Sequence, residues 1–284
     1  MPFDPEQVFA LVAPLTLFLG IGFLAQLIDG SLGMAYGVIS STALLTFGVP
    51  PAQASAMIHA AECVTTAASG TSHIAHRNVD WALFWRLAPA GIAGGVLGAY
   101  VITSFDQALV KAFVVAYLAV LGVVIFLRAF REMADREPQV KHAIPLGVVG
   151  GFLDASGGGG WGPIVATTLM GRGHTPRFVI GTVNTVEFFV TMAISIAFIW
   201  AIVSGRLEVA GGLGQLGMAL LGLLVGGVLA APLAGRVTKI VPARFLMGAV
   251  GALVIALSIW QGVELWPRLL QSPTTAFVTG WLAS

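Results

Sequence analysis

The sequence predicts an all-α polytopic membrane protein built from two inverted repeats, each a broken helical hairpin followed by three transmembrane helices. Composition, an internal duplication and the placement of basic residues carry that prediction. Hydrophobic residues make up 57% of the 284 residues and charged residues 10%, where soluble domains average about 25% charged. The mean hydropathy is +0.92. The net charge of +1 says nothing by itself about partners, and no nucleic acid is expected among them. The partner the composition requires is the lipid bilayer.

The duplication is clearest where the apolar runs break. Asp154-Ala155-Ser156-Gly157-Gly158-Gly159-Gly160-Trp161-Gly162 interrupts a run from Ala143 to Met170. Moving back 125 positions brings Asp29 onto Asp154, Ser31 onto Ser156, Gly33 onto Gly158, Tyr36 onto Trp161 and Gly37 onto Gly162. The same register sets Pro51 on Pro176, His59 on Asn184, Glu62 on Glu187 and Thr66 on Thr191. After a seven-residue insertion, Gly94 to Leu97 matches Gly226 to Leu229. Gly-interrupted apolar segments at corresponding places in two halves point to a transporter binding site. Irregular backbone at membrane depth survives only inside protein or along a cavity, because lipid satisfies no N–H or C=O group.

In order, the first repeat spans 1–131: a hairpin at about 9–48, then helices at about 51–72, 81–102 and 107–130. The helix at 51–72 carries His59, Glu62, Thr65, Thr66 and Ser69, too polar to face lipid, so it belongs inside the bundle. A charged linker, 132–142, separates the halves. The second repeat spans 143–263, with a hairpin at about 143–170 and helices at about 176–203, 209–235 and 242–262. A tail, 264–284, rests at the interface through residues such as Trp281. Small residues four apart recur in the third helix of each half (Gly91, Gly95, Ala99; Gly222, Gly226, Ala230), a spacing that permits close helix approach within a subunit or in a homodimer. The first eight residues hold Asp4 and Glu6 and no base, which argues against a cleaved signal peptide.

Basic residues decide how the breaks are threaded. At 1.5 Å per residue, Ala143 to Met170 would be about 42 Å as one helix, long for one crossing of a ~30 Å core and short for two. If each broken segment crosses once, Lys and Arg divide eight to six between the two sides. If each turns back, they divide 11 to 3. Because short cytoplasmic loops concentrate Lys and Arg, the second arrangement is expected: six full crossings, halves inverted, both termini periplasmic.

The two breaks and the Pro-led helices at Pro51 and Pro176 resemble the TauE/SafE family of sulfite and organosulfonate exporters. The resemblance runs from about Leu17 to Gly262. It implies a bacterial inner-membrane transporter of a small sulfur-containing anion, working as an exporter. The copies differ at the tips: Leu32, Met34 and Ala35 stand where the second copy has Gly157, Gly159 and Gly160. The second hairpin is therefore expected to be the more open.

The residues expected to hold the anion are Ser31, Gly33, Tyr36, Ser156, Gly157, Gly158, Gly159, Gly160 and Trp161, around half-helices starting near Gly33 and Gly158. Helix N-termini offer unpaired N–H groups and partial positive charge there, and no Lys or Arg lies near the predicted midplane. Asp29 and Asp154 read equally well as caps. Glu62 and Glu187 are carboxyls inside membrane helices, functional by default, and are candidates for carrying a proton with Asp29, Asp154 and His59. His59 lies one turn from Glu62 on the same helix face. Thr66, Asn184 and Thr191 support them as polar neighbours. His73, His76, His142 and His174 fall at membrane borders and are expected to be solvated. Cys63 is alone, which rules out an intramolecular disulfide. No CxxC, HExxH, Walker or Rossmann pattern occurs, so neither a metal nor a cofactor is expected. Two functions stay open on the residues: a proton-coupled anion transporter, and a cation or proton transporter or channel using the acids as ligands. An intramembrane enzyme lacks a nucleophile–base pair.

Overall fold

The computed structural model describes residues 5–130, 142–208 and 212–270, all helices and short connections. The order is α1 (Pro5–Leu32), α2 (Tyr36–Thr46), α3 (Pro51–Ala75), α4 (Trp81–Ser104), α5 (Gln107–Arg128), α6 (Ala143–Gly157), a π-helical turn (Trp161–Ala166), α7 (Thr167–Gly171), α8 (Pro176–Val203), α9 (Gly212–Ile240) and α10 (Ala243–Leu270). Proline at the first position opens α3 and α8, where its missing N–H has no partner to lose. Asp80 caps α4 by accepting from the N–H groups of Ala82 and Leu83, and Asp106 caps α5 in the same way. Among the described residues, five helices are long and apolar enough to cross a membrane: Val12–Leu32, Trp81–Ser104, Gln107–Arg128, Pro176–Val203 and Arg244–Pro267. Helix α3 is not among them, because its polar residues lower its hydropathy; of these, His59, Glu62 and Thr66 are buried in the bundle. Trp85, Trp200 and Val203 are exposed, as lipid-facing residues should be.

Both breaks are hairpins. The chain enters along α1, turns at residues 33–35, and returns along α2 until the Phe47 ring meets Phe18 edge-on at 5.9 Å. The second chain segment enters along α6, turns at residues 158–160, and returns through the π-helical turn, whose Val165 lies against Gly150. Pro163 interrupts that return: it has no N–H for the carbonyl one turn back, and the helix widens locally.

The pairings of helices follow the duplication. Helix α1 packs along α9, and α6 packs along α4, which are equivalent pairs with the copies exchanged. Both pairs run parallel: Gly222 lies on Leu15 and Leu19, and Gly226 on Leu19 and Phe23. In the other pair Gly94 lies on Val148, and Gly98 on Phe152. By contrast α3 and α8, themselves equivalents, cross antiparallel: Ser69 meets Asn184, and Cys63 meets Thr191 and Ser195. Equivalents α5 and α10 also run antiparallel, Gly122 lying against Ile255 and Gly251 against Phe126. The small-residue stripes of α4 and α9 thus pack inside the chain: Gly222 and Gly226 receive α1 at backbone distance, while Gly91 and Gly95 face Trp161, Val190 and Ile194.

Several boundaries differ from expectation, α3 and α9 ending later, at Ala75 and Ile240. Residues 264–270 continue α10, so the tail begins later than its composition suggests. The outgoing half-helices begin at Tyr36 and Trp161, not at Gly33 and Gly158. These two glycines end the incoming helices instead, with φ of 70° and 68°, a conformation that costs an ordinary side chain free energy. The linker residues 131–141 and the tail 271–284 lie outside the described residues.

Candidate functional site

The two hairpin tips touch. A Cβ on Gly37 would fall on the carbonyl oxygen of Gly158, and one on Gly159 would meet the Val38 nitrogen and Gly37. Gly162, the equivalent of Gly37, lies 3.0 Å by the same measure from Met34. The glycines therefore let two backbones meet. Gly157 and Gly160 make room for a residue that no motif singles out, Tyr117 of α5. Its hydroxyl is buried without a hydrogen-bond partner beside the second tip.

Each tip is tied by its aspartate. Asp29 accepts from the Tyr36 N–H at 3.1 Å. Asp154 accepts from the N–H groups of Gly160 at 2.8 Å and Trp161 at 3.0 Å. The N-termini of the outgoing helices therefore already face carboxyl groups, which is the capping arrangement. Ser31 and Ser156 donate to Leu27 and Phe152, one turn back in their own helices, as mid-helix hydroxyls commonly do. Tyr36 donates to the Leu223 carbonyl. Trp161 is fully buried against Gly91 and donates to the Val183 carbonyl. Of the residues expected around the anion, Tyr36 and Gly159 line the internal cavity described next; Ser31, Gly33, Ser156, Gly157, Gly158, Gly160 and Trp161 do not.

That cavity sits beneath the touching tips. Asp29, Glu62, Asp154 and Glu187 all line it, with Tyr36, Thr65, Thr66, Met34 and Pro163. Four carboxyl groups, two from each copy, thus converge from α1, α3, α6 and α8. Its free volume is ≈ 20 Å³, about one water molecule, so this conformation is closed to a sulfur oxyanion. Thr66 donates to the Glu62 carbonyl. Thr191 and Asn184 stand off the cavity, bonded to Phe188 and Ser69.

His59 has a different partner from the one its spacing suggested. Its Nε2 lies 3.2 Å from Asp154 Oδ2, across from α3 to the second tip. Its Nδ1 lies 2.7 Å from the Ser55 carbonyl. Glu62 is close by, with one buried oxygen lacking a hydrogen-bond partner. His59, Glu62 and Asp154 each offer an atom within 4.8 Å of the others. A tetrahedral metal with 2.1 Å bonds needs ligand atoms about 3.4 Å apart, and here Nε2 and Oδ2 point at one another. The cluster reads as a hydrogen-bonded set. His174 corrects another expectation: it is buried at 8% exposure rather than solvated, its N–H bonded back to the Leu169 carbonyl at the end of α7.

Converging broken hairpins and membrane-embedded carboxyls around an internal cavity define a multi-pass membrane transporter. Residues 18–260 match the family model described as sulfite exporter TauE/SafE, and the chain belongs to that family. It is 38% identical over 263 residues to the probable membrane transporter protein YtnM of Bacillus subtilis (strain 168), an alignment covering 89% of this chain and 84% of that one. No solved structure matches. The family and this relative are described as transporters, not as enzymes.

Proposed function

We propose that the chain exports a small sulfur-containing anion, sulfite or an organosulfonate, across the bacterial inner membrane in a proton-coupled cycle. The observation that carries this reading is the cavity with four carboxyl groups and no Lys or Arg in its wall. Four ionised carboxylates would repel an oxyanion, while protonated ones can donate hydrogen bonds to it. Anion entry and proton binding are thereby linked by charge alone. A divalent sulfite carried with one proton keeps a net negative charge. An inside-negative potential drives that charge outward, at about 2.3 kcal/mol per charge per 100 mV.

An inverted arrangement of the halves, with both termini periplasmic, accompanies this proposal. It is supported by the antiparallel run of the equivalent pairs α3/α8 and α5/α10. Arg77, Arg128, Arg172 and Arg177 also gather at one end, where Arg177 donates to Asn78 and to the His76 carbonyl. In a Cys63→Ser background, single cysteines beside Arg77, Arg172 and Arg206 should react with an impermeant reagent in intact cells only at Arg206.

The carboxyl-lined cavity also favours a second reading, transport of a cation or of protons alone. Proteoliposomes loaded with labelled sulfite, taurine, Na⁺ or a divalent metal separate the two. Sulfite efflux accelerated when the interior is the more acidic side supports the first reading; metal or Na⁺ flux without anion flux would replace it by the second.

A further inference from the structure

We infer that the proton of this cycle is bound at one place, between His59 and Asp154, and that only the second hairpin carries such a site. The inference rests on the transport reading for its role, and on hydrogen-bond geometry for its existence.

Two groups stand at His59 Nδ1. One is the Ser55 carbonyl at 2.7 Å, which can only accept. The other is the Ser55 hydroxyl at 3.2 Å, whose hydrogen is committed to the Ala155 carbonyl at 2.5 Å. Nδ1 therefore carries hydrogen. In a neutral imidazole this leaves Nε2 with a bare lone pair, and it faces Asp154 Oδ2 at 3.2 Å. Two lone pairs opposed in a fully buried site would repel and leave both groups without a hydrogen, at the full desolvation cost of each. A second hydrogen must lie on the Nε2···Oδ2 line, shared by the pair. Oδ1 of the same carboxyl holds Gly160 and Trp161, so the shared proton ties α3 to the tip of the second hairpin.

The titratable groups around the pair are Glu62 on α3, Glu187 on α8, Asp29 on α1, Tyr36 on α2 and Tyr117 on α5. The unpartnered oxygen of Glu62 is the acceptor at hand. Transfer moves one proton from Nε2 to a Glu62 carboxylate oxygen. It leaves a neutral imidazole protonated at Nδ1, an ionised Asp154 and a protonated Glu62. The tie between α3 and the tip is then lost, so proton transfer loosens the hairpin contact. The first hairpin has no counterpart: Asn184 stands in the place of His59 and bonds Ser69 instead.

Nitrogen-15 NMR of histidine in the full-length protein in detergent at neutral pH, with the infrared carboxylic-acid band, tests the site without any substrate. The His59 signal, assigned by its loss in H59N or by its shift in F198L, whose ring lies 6.3 Å away in the native chain, should report two protonated nitrogens or accompany an acid band removed by D154N. A neutral imidazole with no such band overturns the inference. In proteoliposomes, H59N should lose at least 10-fold of pH-driven sulfite accumulation, and N184A, outside the pair, should keep it. Unchanged pH-driven accumulation in H59N also overturns it. A protonated pair in a wild-type chain that moves no sulfite or taurine would instead sink the anion reading and leave the proton site standing.

Discussion

The two hairpin tips are copies of one design held to different standards. In both, an aspartate caps the outgoing helix and a left-handed glycine ends the incoming one. The first tip has one N–H on its aspartate and places Ala35 at φ 133°. The second has two N–H groups and a histidine on its aspartate, and Gly160, the equivalent of Ala35, sits at an ordinary φ of −90°. Duplication thus preserved the backbone device in both halves and kept the titratable partner in one. Symmetry of scaffold does not require symmetry of chemistry.

The largest effect should come from breaking the contact the tips share. Gly159→Val adds a side chain where Val38 and Gly37 backbone already lie, and it should abolish folded protein on gel filtration. Gly226→Ala should do nearly as much, since its Cβ would fall on the Leu19 carbonyl. Gly227→Ala, with nothing nearer than 3.3 Å, should cost under about 1 kcal/mol. A well-folded Gly159→Val variant would mean the tips do not touch.

Next in size is the contrast between the two membrane glutamates. Glu62→Gln should reduce the pH dependence of sulfite flux at least 10-fold, because Glu62 is the acceptor beside His59. Glu187→Gln removes a carboxyl of the same cavity but not one clustered with His59 and Asp154, and it should lower flux less and leave pH dependence in place. Equal profiles for both variants would make the halves chemically equivalent after all.

The smallest effects concern strain at the first tip. Ala35→Gly relieves a residue in a conformation that costs an L side chain about 1–3 kcal/mol, so the unfolding temperature in detergent should rise. Gly20→Ala, in a helix with open space around it, should stabilise by about 0.5–1 kcal/mol. A fall in unfolding temperature for Ala35→Gly would mean that the strained geometry is held for packing reasons.

Much of this was legible in the sequence. Composition alone pointed to a membrane protein, since 10% charged residues are far too few to cover a soluble surface that averages about 25%. The 125-residue register located both breaks, both aspartate caps and both glutamates, because duplicated positions keep their local backbone needs. Pro51 and Pro176 marked helix starts for the same local reason. What the sequence left undecided involves pairs far apart in the chain. The glycines at the tips read as an open anion site, whereas packing spends them on tip-to-tip contact and on Tyr117. His59 sits at helical spacing from Glu62, yet its partner is Asp154, 95 residues away. Periodicity reports which face of a helix a residue occupies; only the packed bundle decides what stands opposite that face.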